Sequence, residues 1–255
     1  MTMNRKLFSG EAPCSAKCAY CFAKWPAYVG QDIISVWKNE EIGPIVYPCC
    51  DSDINGTRNL TQQLWRIAEN NHSTYISISA KNVLAADLLD QYEQLNRYLA
   101  KHQKGFVKIG VSVTNKYRIG ELEPGTASYE RRREFFVELQ QRGFETSLVF
   151  KPILPFIPST EYSDIVTDYS MCDYFLLGSL YVDPESEFYR TYIHGQYDMQ
   201  EKTVSWLDAH PRWQCISQDI KLQEIARFIQ EQGKSAFYTD TDLIRQMIKD
   251  RNAKL

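Results

Sequence analysis

Three cysteines fall within eight residues, in the run Cys14-Ser-Ala-Lys-Cys18-Ala-Tyr-Cys21. Three thiolates in one short loop can bind three irons of a [4Fe–4S] cluster and leave the fourth iron open to another ligand. The same three, completed by Cys49 or Cys50, would form a four-cysteine zinc site. Zinc ribbons prefer paired CxxC knuckles, and no histidine precedes His72, so the spacing favours the cluster. Cys172 and Cys215 stand alone, and seven cysteines in 255 residues do not make a disulfide framework. His194, His210 and Cys215 lack metal-ligand spacing, which speaks against a second cluster.

A cluster loop needs a scaffold, and the chain behind it alternates between β-rich runs and helical patterns. Strands are expected at Pro44–Pro48, Thr74–Ser79, Val107–Thr114, Thr146–Ile153 and Tyr174–Val182, with a further N-terminal one at Arg5–Ser9. Between them, apolar residues recur at helical spacing: Leu60, Leu64 and Ile67, then Leu84, Leu88, Leu89, Tyr92 and Leu95. Phe135, Phe136 and Leu139 mark a helix entered through a capping signal at Ser128–Arg131, and a weaker one runs through Glu161–Tyr169. Such alternation implies a parallel α/β sheet with covered faces. Six strands fall short of the eight of a closed barrel, so the expected fold is a partial (β/α)6 TIM-type barrel over residues 1–183. Its mouth would gather the strand ends, Cys49–Asp53, Ala80–Asn82, Ser112–Asn115 and Lys151–Pro152. Residues 184–255, Tyr-rich at first and closing with helices at Lys221–Gln232 and Thr239–Arg251, read as a C-terminal helical appendage covering the barrel.

Composition narrows the function classes. Apolar residues at 44% and charged residues at 24% are globular values. No run approaches the roughly 20 apolar residues of a membrane span, and the first residues carry no apolar signal region, so a cytoplasmic protein is expected. A net charge of −3 argues against broad electrostatic capture of nucleic acid. Local basic surface is left at Lys116, Arg118 and Arg131–Arg133, and Tyr181, Tyr189, Tyr192 and Tyr197 could stack bases or pack the appendage.

The CxxxCxxC spacing with an aromatic before the last cysteine resembles the signature of the radical S-adenosylmethionine superfamily. Cys50-Asp-Ser-Asp-Ile, Val111-Ser-Val-Thr-Asn and Glu123-Pro-Gly-Thr with Arg131 extend the resemblance to spore photoproduct lyase and its relatives, over about Pro13 to Pro155. The resemblance implies that Cys14, Cys18 and Cys21 hold a [4Fe–4S] cluster whose open iron is chelated by S-adenosylmethionine. Reduction by a partner such as flavodoxin or ferredoxin would then release a 5′-deoxyadenosyl radical that takes hydrogen from the substrate. It further implies that Ser52, Asp53, Lys81 and Ser112 contact the cofactor, the lysine as cation for the methionine carboxylate. Lys151, where relatives carry a small residue before the proline, would approach the adenosyl group or a substrate acid.

Cys50 matches the family's hydrogen-atom donor, while Cys49 has no such parallel and is assigned to packing. In those lyases tyrosines flank the third cluster cysteine in a radical relay. Tyr20 is present here, but the second position is Phe22, so the relay cannot run in the same form. Trp25 and Trp37 are expected to shield the cluster. Three functions follow: radical chemistry on a nucleic acid or nucleotide, the same chemistry on a peptide, protein or small metabolite, and a non-catalytic zinc or iron–sulfur module.

Overall fold

The computed structural model describes residues 14–26, 28, 34–38, 40–49, 51–56, 60–204 and 210–253. Arg5–Ser9 and Cys50 lie outside these residues. Seven strands form one sheet: β1 (Ile34–Trp37), β2 (Ile45–Pro48), β3 (Thr74–Ala80), β4 (Gly105–Ser112), β5 (Glu145–Phe150), β6 (Tyr174–Leu177) and β10 (Ser235–Phe237), in that spatial order. All neighbours run parallel except β1, which pairs antiparallel with β2 at one edge of the sheet. Among the described residues β1 and β10 are not paired, so the sheet is open.

Helices α1 (Leu60–Asn70), α2 (Ala86–Lys101), α4 (Tyr129–Gln141) and α5 (Ser159–Asp168) link the strands, with the short α3 (Ile119–Leu122) before α4. Leu60, Leu64 and Ala68 place the buried stripe of α1 at four-residue intervals. Ser128 caps α4 as its sequence signal requires, its hydroxyl accepting from the Arg131 amide. In β4 the alternation separates two faces. Val107, Ile109 and Val111 join the large core shared with α2 and α4, while Phe106 joins a second core with Leu243, Ile244 and Met247. The remaining members of the second face are Lys108, Gly110 and Ser112, an unusually polar set for a central strand.

The expected strand Tyr174–Val182 divides at Gly178. A β-carbon there would come within 2.6 Å of Lys151 Cγ, and the chain turns away after β6. It continues as β7 (Tyr181–Val182), which forms a separate antiparallel sheet with β9 (Arg212–Ile216) and β8 (Met199–Thr203), beyond α6 (Glu187–Tyr192). The C-terminal part is more than a helical cover. After α7 (Asp219–Glu231), β10 adds a parallel strand beside β6, so the main sheet extends past residue 183. Then α8 (Asp240–Asn252) packs Leu243, Ile244 and Met247 against Ile45 and Phe106. Arg245 ties this helix to Glu41 at 2.6 Å, and Arg251 ties it to Glu145 of β5 at 3.6 Å. Among the described residues no helix is long and apolar enough to cross a membrane.

Candidate active site

The strand ends and the cysteine loop enclose a cavity of about 1120 Å3. Cys14, Cys18 and Cys21 line it, together with Ser52, Asp53, Lys81, Ser112 and Lys151. The sequence-derived set, apart from Cys50, therefore meets in one place.

The cysteine loop is docked on the α3–α4 segment. Ala19 N–H donates to Leu122 O at 2.8 Å and Gly125 N–H to Ala16 O at 3.1 Å. A β-carbon on Gly125 would lie 1.8 Å from Ser15 O, so only glycine permits this approach. Lys24 Nζ donates to Cys18 O at 2.8 Å from the following turn. Burial pushes the Cys18 thiol up to about 11; Lys81 opposes this, while Glu123, Cys21 and Cys14 add to it. Among the described residues no group of three or more His, Cys, Asp or Glu side chains is arranged to hold a single metal ion.

Glu123, fully buried, is the hub behind the loop. One carboxylate oxygen accepts from Thr114 Oγ1 at 2.8 Å, from Tyr20 OH, and from Lys81 Nζ at 3.1 Å. The other accepts from Arg132 Nη2 at 2.6 Å. Burial alone would raise this carboxyl, but Lys81 and Arg132 outweigh it and hold Glu123 at about 2. The arginine partner is Arg132, not the Arg131 of the sequence reading. Arg132 is 1% exposed and also donates to Ser112 O at 2.9 Å, whereas Arg131 pairs on the surface with Glu134. The helical phase decides this, since α4 turns position 132 inward together with Phe135 and Phe136.

Lys81 is thus positioned rather than dangling at a rim. Its ammonium reaches Ser112 Oγ at 2.8 Å as well as Glu123, and lies 5.4 Å from the Tyr20 ring centre. Tyr20 is buried, its hydroxyl within the Glu123 network and its ring edge-on to Phe188 at 6.0 Å. Burial, then the Glu123 charge, raise its pKa. Asp53 accepts from Asn82 Nδ2 at 2.6 Å, Ser15 Oγ at 3.1 Å and the Asn55 amide at 3.0 Å, stitching the cysteine loop to two strand ends. Asn82 ends the mouth segment Ala80–Asn82 expected from the sequence, with no role of its own assigned there. Ser52 Oγ is buried and has no hydrogen-bond partner among the described residues.

Around the cysteines, Phe22 packs in an aromatic box with Tyr28 at 5.3 Å, Trp213 at 5.7 Å and Trp25 at 6.5 Å. Trp25 packs in this box just after the loop, while Trp37 lines the cavity from β1, 37% exposed. Cys49 is buried with a left-handed φ of 56°. The basic edge is matched by acids or carbonyls: Lys116 with Asp168 at 2.7 Å, Arg118 with Glu121 at 2.6 Å, and Arg133 with Asp168 O at 2.9 Å. Tyr192 packs on Phe156 with Arg118 against both rings, and Tyr181 packs on Trp213.

No protein-family model matches the chain. It is 25% identical over 154 residues to spore photoproduct lyase of Geobacillus sp., covering 55% of this chain and 43% of that protein. The match thus spans less than half the relative's length. Among solved structures, a cysteine-to-alanine mutant of spore photoproduct lyase with dinucleoside spore photoproduct superposes with TM-score 0.60 at 17% identity, covering 89% of this chain and 74% of that one. Spore photoproduct lyase complexed with the same dinucleoside gives 0.58 at 16% identity, with coverage of 91% and 76%. A double mutant with bound AdoMet and dinucleoside spore photoproduct gives 0.52 at 17%, with coverage of 76% and 60%. The chain resembles spore photoproduct lyase in sequence and has the partial-barrel fold of these structures.

Proposed function

We propose that the protein is a radical S-adenosylmethionine enzyme. The observation that carries this reading is the shared cavity: three thiols on one wall, and Lys81, Ser112, Ser52 and Asp53 on the strand ends facing it. These residues fit the cofactors. Cys14, Cys18 and Cys21 supply the three thiolates of a site-differentiated [4Fe–4S] cluster. The unpartnered Ser52 hydroxyl and the Lys81 ammonium offer hydrogen bonds to a polar, carboxylate-bearing ligand. When bound, the cluster and S-adenosylmethionine supply a 5′-deoxyadenosyl radical for hydrogen abstraction, with electrons from a flavodoxin or ferredoxin.

The chain's own residues have separate tasks. Lys81, fixed by Glu123 and Ser112, presents its cation to the cofactor carboxylate. Asp53, with three of its roughly four acceptor positions filled, keeps one for the cofactor and holds the cysteine loop in register. Tyr20 braces Glu123 beneath the loop. Cys50 is assigned hydrogen-atom donation to a carbon-centred product radical, its thiol becoming a thiyl radical.

Three of the similar solved structures hold a dinucleoside photoproduct, which supports a nucleotide-derived substrate here. A small-metabolite or peptide substrate is favoured by a different observation: among the described residues Lys116, Arg118, Arg131 and Arg133 are already paired with acids or carbonyls, which leaves that basic edge little charge to offer a phosphate backbone. The test is anaerobic reconstitution with iron and sulfide, then dithionite and S-adenosylmethionine. About four irons per chain and formation of 5′-deoxyadenosine are expected. Cys18→Ala should lose both, and an unchanged rate in that variant would refute the assignment.

A further inference from the structure

Within the barrel, below the strand ends, a polar layer meets the first turn of α8. Ser77 and Lys108 are cross-strand partners on β3 and β4. Lys108 is completely buried, and its ammonium donates to Ser77 Oγ at 3.1 Å and to Asp240 Oδ1 at 3.0 Å. Ser77 Oγ donates to the same Asp240 oxygen at 3.1 Å. The other oxygen of Asp240 stands 3.7 Å from Lys151 Nζ, which is an ion-pair distance but not a hydrogen bond.

One carboxylate therefore faces two ammonium groups, and Lys108 already uses its nearer oxygen. Among the described residues the other acids lining the cavity bond other groups: Asp242 with Arg245 at 3.2 Å, Asp219 with Lys202 at 4.0 Å, Asp53 with Asn82, and Asp51 with Tyr28. Within this cluster a single carboxylate is shared by two ammonium groups, and Lys151 holds the longer of the two contacts. Asp240 is also the first residue of α8, whose N-terminal end adds partial positive charge at the same place.

Lys151 is held in this position by its stem. A β-carbon at Gly178 would lie 2.6 Å from its Cγ and 3.1 Å from its Cδ and Cε, so the stem lies flat along the glycine. The flanking backbone is locked there too, with Gly178 N–H donating to Phe150 O at 3.1 Å and Ile153 N–H to Gly178 O at 2.8 Å. The side chain as a whole is left 35% exposed where it lines the cavity. A solvated rim lysine would need no such groove.

We propose that Lys151, backed by the Lys108–Ser77–Asp240 layer, binds an anionic group of the substrate, a phosphate or a carboxylate, and so positions the substrate in the cavity. This assigns Lys151 to the substrate rather than to the cofactor, and it rests on the reading of the cavity as an active site. Inorganic phosphate and acetate are the probes, titrated calorimetrically into the cluster-reconstituted protein at low ionic strength. One of them should bind saturably, and the tighter names the group. Lys151→Gln should weaken that binding by about tenfold or more, and Lys151→Arg should keep it within about threefold. Asp240→Asn removes the competing carboxylate and should tighten it, a gain that a misfolded variant cannot produce. Should Asp240→Asn fail to fold, the two Lys151 variants decide. S-adenosylmethionine affinity should stay within about twofold of wild type in Lys151→Gln. Absence of saturable binding of either anion, unchanged anion affinity in Lys151→Gln, or a tenfold loss of S-adenosylmethionine affinity in that variant would each overturn the proposal. Failure of the wild type to cleave S-adenosylmethionine would refute the enzyme reading alone, because anion binding is measured without turnover.

Discussion

Glu123 shows how much of the site rests on a residue that never faces the cavity. It fixes Lys81, Tyr20, Thr114 and Arg132 at once. Lys81→Ala should weaken S-adenosylmethionine binding by about 1.5–3 kcal/mol, the range for a hydrogen bond to a charged group, with iron content unchanged. Calorimetry on the reconstituted variant checks both. Ser52→Ala makes a two-sided prediction. Its hydroxyl is buried without a partner, so its removal should leave thermal stability equal to wild type or raise it slightly. Cofactor affinity should nevertheless fall, because the same hydroxyl is assigned to the cofactor. A destabilised variant with normal affinity would mean the group serves the fold instead.

These residues differ in how legible they were. Cysteine spacing and the strand-end positions of Ser52, Lys81 and Ser112 could be read directly. Arg132 could not, because neighbouring arginines at 131–133 differ only in helical phase, and which one turns inward depends on how α4 seats on the sheet. Lys108 was readable in principle. A lysine inside VKIGVS, in phase with Ser112, must point to the barrel interior. Asp240 carried no such sign, since its partners lie far away in sequence on β3, β4 and after β5.

At the scale of elements, two packing events complete the site. The first is the docking of the cysteine loop on the segment around Gly125. Gly125→Ala would force its new methyl into Ser15 O, so the loop or the segment must move. A stability loss of about 1–3 kcal/mol is expected, with lower iron uptake on reconstitution. Iron analysis and urea melts measure the two effects, and normal values in both would show that the loop adapts freely. The second is the seating of α8. Thr239 caps it, Asp240 and Asp242 stand in its first turn, and Lys249 and Arg251 in its last, as the helix dipole favours. Met247→Ala should cost about 2–5 kcal/mol, as for other large-to-small changes in a packed core. The helix itself was visible in the sequence; its place under the barrel was not, because β10 is only three residues long and gives no periodic signal.

For the molecule as a whole, the buried charge networks set its response to acid. Glu123 and Asp240 are each held at about 2: burial pushes both up, but Lys81 and Arg132 beside Glu123, and Lys108 and Lys151 beside Asp240, outweigh it. Their unfolded values are about 4. Depressed carboxyls stabilise the folded state above the unfolded value and lose that contribution as pH falls toward the folded one. Stability should therefore hold from neutral pH to about 5 and decline down to about 2, by roughly 2–3 kcal/mol per carboxyl. Urea melts across that range should show this acid limb, and Glu123→Gln should flatten part of it.

The cavity draws Cys14 and Asp240 to the same walls, and this has a consequence in time. At roughly 5–20 residues per second, the ribosome exposes the cysteine loop about ten to fifty seconds before the strand and helix that close the floor exist. For that interval three thiols stand beside an unfinished barrel, open to metal donors and to oxidants alike. The order of synthesis thus separates the appearance of the thiols from the completion of the cavity that α8 helps to line.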